Sequence, residues 1–168
     1  MTRYYGVDPS SSTGIVILNE DGRVILEEEI KIKHRIDPLR MIEICKIIKS
    51  HLNPKTDKVA IEGFSYGSKG RGVSFQYGLG WVIRAMLFIE GIDYVEVTPS
   101  QVKKFACNKG NAKKTDLIKP VEEKWGYTHK SDNVIDAYIL ARIVYSMDTQ
   151  EDLKLYEKKV INDLVNKN

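Results

Sequence analysis

The opening of the chain leaves few folds open to it. Arg3-Tyr4-Tyr5-Gly6-Val7-Asp8 runs into Pro9-Ser10-Ser11-Ser12, and Thr13-Gly14-Ile15-Val16-Ile17-Leu18-Asn19 follows. Residues 4–7 and 15–18 are rich in β-branched and aromatic side chains, and 9–14 has turn composition. The segment therefore reads as a strand, a tight polar turn and a second strand. Asp8 stands where the first strand stops. A carboxylate at the end of a central strand is costly unless it meets water, a donor or a metal ion. Taken alone, Asp8 reads equally well as a cap of its own turn, through the amides of Ser10 to Ser12.

The rest of the chain continues the alternation of strands and helices. Asp21-Gly22 marks a turn, and residues 23–33 alternate in part (Val24, Leu26, Ile30, Ile32) as a third antiparallel strand. Asp37 as cap and Pro38 at the first position start a helix with the stripe Met41, Ile44, Cys45, Ile48 and Leu52, which Asn53-Pro54 stops. Residues 58–62 form a short buried strand that again ends on a carboxylate, Glu62. A loop over 63–72 combines four glycines with Phe64, Tyr66, Lys69 and Arg71. A helix over 73–90 and a strand over 92–97 come next. Thr98 or Ser100 caps a short helix reaching Phe105, and 108–114 is a basic loop. Thr115 caps a helix to about Trp125, Ser131 caps one over about 132–147, and an amphipathic helix over about 151–165 closes the chain. This predicts an α/β fold: a mixed sheet of about five strands with helices on both faces. The 168 residues suit one domain, 1–168, with 148–168 as a C-terminal helical extension.

Hydrophobic content of 42% and charged content of 29% are those of a soluble globular protein. No apolar run approaches about 18 residues and no signal peptide is present, so a cytoplasmic protein without a membrane partner is expected. Cys45 and Cys107 lack any zinc-site spacing and read as free thiols. A net charge of +3 permits a polyanionic partner without requiring one.

Three carboxylate positions stand out: Asp8, Glu62 and the pair Asp132 and Asp136. The first two end strands that can be neighbours, and residues four apart share a helix face. Gathered together they repel unless a cation intervenes. Hard oxygen ligands at such density fit Mg2+ or Mn2+ rather than zinc. Two such ions about 4 Å apart can activate a water and stabilise a leaving oxygen in phosphodiester cleavage. Asp132 also reads as a dipole-favoured charge at a helix start, whereas Asp136 sits a turn further in, before Ala137, Ile139, Leu140 and Ala141.

These residues resemble the RuvC family of Holliday junction resolvases in the RNase H-like superfamily. Gly6-Val7-Asp8-Pro9 with Thr13-Gly14, Ala60-Ile61-Glu62, Gln101-Val102-Lys103-Lys104, Gly110-Asn111-Ala112-Lys113-Lys114 and Asp136-Ala137 carry the likeness, in order, over about residues 3–145. The resemblance implies an RNase H-like domain, two Mg2+ or Mn2+ ions held by Asp8, Glu62, Asp132 and Asp136, and Lys103 and Lys114 beside the scissile phosphate. It implies a homodimer through the helix over 73–90, acting on four-way junctions and other branched DNA. Phe64 or Tyr66 would stack on a base, and Lys69, Arg71, Lys104, Lys109 and Lys113 would contact DNA. The chain departs from the bacterial pattern twice, in a way more similar to the bacteriophage branch. Phe64 comes one residue early after Glu62. Asn133 occupies the place three before Asp136, so either Asp132 substitutes or Asn133 coordinates through its carbonyl oxygen. Asp132 is the expected choice, since a carboxylate binds Mg2+ better than an amide does.

An actin-like ATPase or sugar kinase also begins with strand, Asp, polar turn and strand, but that fold needs two such domains and a second phosphate loop. A non-catalytic branched-DNA-binding module and an RNase H-type nuclease on RNA–DNA hybrids remain as alternatives, which a cleavage assay separates.

Overall fold

The computed structural model describes residues 1–33, 36–67, 69–70, 72–149 and 151–166. Five strands, β1 (Arg3–Asp8), β2 (Thr13–Leu18), β3 (Val24–Ile30), β4 (Asp57–Glu62) and β5 (Tyr94–Val97), form one sheet in the order β3-β2-β1-β4-β5. The first three are antiparallel neighbours, and β1–β4 and β4–β5 are parallel. Six helices complete the described chain: α1 (Leu39–His51), α2 (Val73–Ile89), α3 (Pro99–Cys107), α4 (Thr115–Trp125), α5 (Asp132–Asp148) and α6 (Leu155–Val165). The predicted mixed sheet and the helices on its two faces are both present.

Alternation along the central strands divides the core in two. Tyr5, Val7, Ile15, Ile17, Val59 and Ile61 turn to one face, where α1 and α2 cover them with Ile44, Ile48, Leu79, Ile83 and Leu87. Tyr4, Val16, Leu18 and Ala60 turn to the other, against Val102 and Phe105 of α3, Leu117 and Val121 of α4, most of α5, and Val160 and Leu164 of α6. Parity then fixes the two strand-end acids. Asp8 follows Tyr4 and Gly6, and Glu62 follows Ala60, so both belong to the α5 face.

Helix α5 is buried nearly all round, as a helix through a core must be. Its approach depends on two glycines. A methyl at Gly6 would overlap the Ala137 carbonyl oxygen, and one at Gly14 would overlap that of Asn133. The backbone of α5 thus rests directly on β1 and β2, with Asp136 carried to the end where Asp8 stands.

Several element ends differ from the sequence reading. Pro38, not Asp37, takes the cap position of α1, and the Asp37 carboxylate binds the Arg40 guanidinium at 3.1 Å. Thr115 is the first residue of α4 rather than its cap, and Asp116 accepts a bond from the Lys113 amide instead. Thr98 is the cap of α3, in a reciprocal capping box with Gln101. Ser131 sits at the cap of α5 but makes no side-chain cap bond, because its hydroxyl donates to Glu29. Helix α6 begins at Leu155 rather than near 151, where Glu157 reaches back to the Lys154 amide. Gly78 and Gly80 of α2 lie against side chains of the same chain. Added methyls would meet Met41 Cε at 2.8 Å and Phe64 Cε1 at 2.5 Å.

Candidate active site

Asp8 and Glu62 lie at the carboxyl ends of adjacent parallel strands, where Val7 is in register with Ile61. Asp8 is 4% exposed and Asp136 8%. Among the described residues neither the Asp8 nor the Glu62 carboxylate has a hydrogen-bond or ion-pair partner. Burial, then the nearby Asp136 charge, pushes the Asp8 carboxyl up to about 7, with Lys114 opposing. Burial, then Asp8 and Asp136, raises Glu62 well above the usual carboxylate range, with Lys114 and Lys103 opposing. Asp136 is also raised by burial, which outweighs Lys114. Three acids therefore share one buried field.

Lys114 is their nearest counter-charge, its Nζ 3.5 Å from Asp136 Oδ2. Burial alone would lower this ammonium's pKa, but Asp136, Asp8 and Asp132 together raise it. Lys103, half-buried on α3, acts on Glu62 and Asp136 at longer range. The basic loop is seated against α3, where Gly110 lies so close to the Ser100 hydroxyl that a methyl would overlap it.

The last acidic motif divides by side. Asp132 is exposed, and Asn133 is half-buried. Asn133 Oδ1 lies 3.5 Å from Lys114 Nζ, and its Nδ2 lies 3.5 Å from Glu29 Oε1. Glu29 also accepts from Ser131 Oγ at 2.7 Å and pairs with Lys31 at 2.6 Å. The sequence reading missed Glu29, which hides among Glu27, Glu28 and Glu29 on a strand at the sheet edge. The available signal was register, because Glu29 pairs with Gly14, which pairs with Asp8.

Arg84 was also missed. It is a cation in the apolar run 81–89 and is 4% exposed. Its guanidinium binds Glu96 Oε2 at 2.7 and 2.9 Å, the Gly80 carbonyl at 2.9 Å and the Glu62 carbonyl at 3.3 Å. It lies 4.2 Å over the Phe64 ring. Phe64 is consequently packed, with Tyr77 and Trp81 5.2 and 5.3 Å away, whereas Tyr66 is 82% exposed. A cleft is lined jointly by Pro9, by Glu62 of the acids and by Phe64, Tyr77 and Arg84 of this cluster. Lys69, Lys109 and Lys113 are exposed and Lys104 is half-buried. Arg71 lies outside the described residues.

The donor set suits hard divalent cations: it is all oxygen, Asp8 and Asp136 are buried and Glu62 half-buried, and among the described residues the Asp8 and Glu62 carboxylates have no protein partner. Among the described residues no three His, Cys, Asp or Glu side chains are gathered closely enough to hold one ion by themselves. None of the described helices is long and apolar enough to cross a membrane.

A five-stranded mixed sheet with helices on both faces and acids at its central strand ends defines the RNase H-like α/β class. Within it the fold is that of RuvC. Thermus thermophilus RuvC superposes with a TM-score of 0.70 at 18% identity, covering 83% of this chain and 91% of that one. T. thermophilus RuvC in complex with Holliday junction substrate gives 0.67 at 16%, covering 87% and 95%. No family sequence model and no curated protein matches the chain.

Proposed function

We propose that this chain is a divalent-cation-dependent endonuclease that cleaves Holliday junctions and other branched DNA, working as a homodimer in a bacterial or phage-infected cytoplasm. The observation that carries the reading is the convergence of buried Asp8 and Asp136 with half-buried Glu62, with Lys114 at the edge, on a RuvC-type fold. Asp8, Glu62 and Asp136, with Asp132 or Asn133, would hold two Mg2+ or Mn2+ ions, which supply water activation and charge neutralisation at the leaving oxygen. In the reaction a water oxygen bonds to phosphorus as the bond to the departing sugar oxygen breaks. The chain's own task is positioning. β1 and β4 fix two carboxylates on rigid strand ends, and α5 brings the third from above. The Lys114 ammonium beside Asp136, and Lys103 acting on the same acids at longer range, would stabilise charge growing on the phosphate oxygens.

Exposed Tyr66 suits base stacking better than packed Phe64, and Lys69, Arg71, Lys104, Lys109 and Lys113 would neutralise flanking phosphates. Trp81, Phe88 and Ile89, 62%, 84% and 78% exposed on α2, would form the dimer contact. Two-fold symmetry matches two symmetric cuts in a four-way junction.

The test is Mg2+-dependent cleavage of junction, flap and RNA–DNA hybrid substrates by wild type, Asp8→Asn and Glu62→Gln. Wild type should cut branched DNA, and each variant should lose at least about 100-fold in rate while retaining junction binding. Binding without cleavage by wild type would instead identify a non-catalytic junction module, and preference for the hybrid an RNase H-type nuclease.

A further inference from the structure

Asn133 sits between two opposite charges. Its NH2 lies toward the Glu29 carboxylate and its carbonyl oxygen toward the Lys114 ammonium, each at 3.5 Å. The reversed amide would set donor against ammonium and carbonyl against carboxylate, both repulsive. Glu29 is itself held, by Ser131 Oγ at 2.7 Å and Lys31 Nζ at 2.6 Å. Gly14, opposite Asp8, lets the Asn133 backbone rest on β2. From this juxtaposition we infer that Glu29 is a positioning residue for the acidic site. It fixes the Asn133 amide so that the carbonyl oxygen is presented to Lys114 and the Asp136 side of the site. The negative charge that Asn133 lacks is supplied one layer back, from strand β3, and acts through the amide. Asn133, rather than exposed Asp132, is then the α5 residue that completes the oxygen set.

The inference deepens the nuclease reading and rests on it for its meaning, yet its geometry can be tested separately. In metal-free protein, the Asn133 side-chain NH2 signals should be protected from exchange, and Glu29→Gln should remove that protection. This readout holds whether or not the chain cuts DNA. Calorimetric titration with Mg2+ alone should show affinity falling about tenfold in Glu29→Gln, as loss of a partner behind a ligand does. Lys31→Met, which removes only the outer partner of Glu29, should leave Mg2+ affinity unchanged. The decisive variant is Glu29→Gln combined with Asn133→Asp, which exchanges carboxylate and amide across the contact. Because Asn133→Asp adds a carboxylate of its own, the double variant is compared with Asn133→Asp alone: the tenfold loss that Glu29→Gln causes in the wild-type background should vanish in the Asn133→Asp background, whereas a merely structural role for Glu29 would give the same loss in both. Unchanged exchange and unchanged Mg2+ affinity in Glu29→Gln would overturn the inference, as would an equal loss of affinity from Glu29→Gln in the wild-type and Asn133→Asp backgrounds. Wild type that neither binds Mg2+ nor cuts branched DNA would overturn the nuclease reading while leaving the exchange result to judge the network.

Discussion

At the residue scale, Asp8 sets the electrostatic character of the site. Its carboxyl is raised from 3.8 to about 7 by burial and by Asp136. An acid with a higher pKa folded than unfolded binds more protons when folded between those two values. Stability then falls as pH rises through that window. Asp8→Asn removes both the buried charge and this dependence. In EDTA at pH 8 the variant should melt several degrees above wild type, each ~1 kcal/mol being worth about 2–4 °C in a chain of this size. The difference should shrink as pH falls toward 4, and thermal melts across pH 4–8 measure it. The variant that abolishes cutting should therefore be the more stable protein without metal, as expected where function places like charges together.

At the element scale, the contact of α5 with β1 and β2 decides whether the acids meet. Gly6→Ala forces a methyl against the Ala137 backbone, which cannot give way as a flexible side chain can. It should cost about 1–3 kcal/mol of stability and reduce cleavage by moving Asp136 from Asp8. Gly67→Ala, with nothing within 4 Å, should stay within about 0.5 kcal/mol. Urea unfolding of both variants provides the comparison. The sequence announced these elements well, because apolar periodicity and turn residues act locally. Strands ending on Asp8 and Glu62, and a helix with Asp136 inside its apolar run, were readable for the same reason. Helix caps were less so, since Asp37 pairs with a neighbouring side chain, Arg40, and Ser131 with a tertiary partner, Glu29, instead of capping the local amide. Glu29 and Arg84 were illegible because their roles depend on what lies across the sheet, which spacing along one strand or helix does not encode.

At the scale of the whole molecule, charge and apolar surface are distributed unevenly. The 26 Lys and Arg against 23 Asp and Glu nearly cancel, so any DNA affinity must come from local groups such as Lys69, Lys109 and Lys113. The outer face of α2 presents Trp81, Ala85 and Phe88 on successive turns, an apolar stripe that a monomer would leave in water. A stable interface buries roughly 800 Å² per partner, so two charges placed centrally should prevent it. Trp81→Glu with Phe88→Glu should sediment as a monomer at tens of micromolar where wild type is a dimer. The same variant should nick one strand of a junction without the paired second cut. A wild-type monomer under these conditions, with and without DNA, would remove the dimer from the proposal.

Arg84 links that outer surface to the strand end carrying Glu62. One guanidinium ties the Glu62 carbonyl, Glu96 on β5 and the turn of α2 at Gly80, while Phe64 stacks on its plane. These positions depend on one another physically. Replacing the arginine strands Glu96 without its partner, and a side chain at Gly80 displaces both the aromatic ring and the cation. Relatives that part with one member are expected to part with the others, so the set should appear or vanish as a block when diverged sequences are aligned.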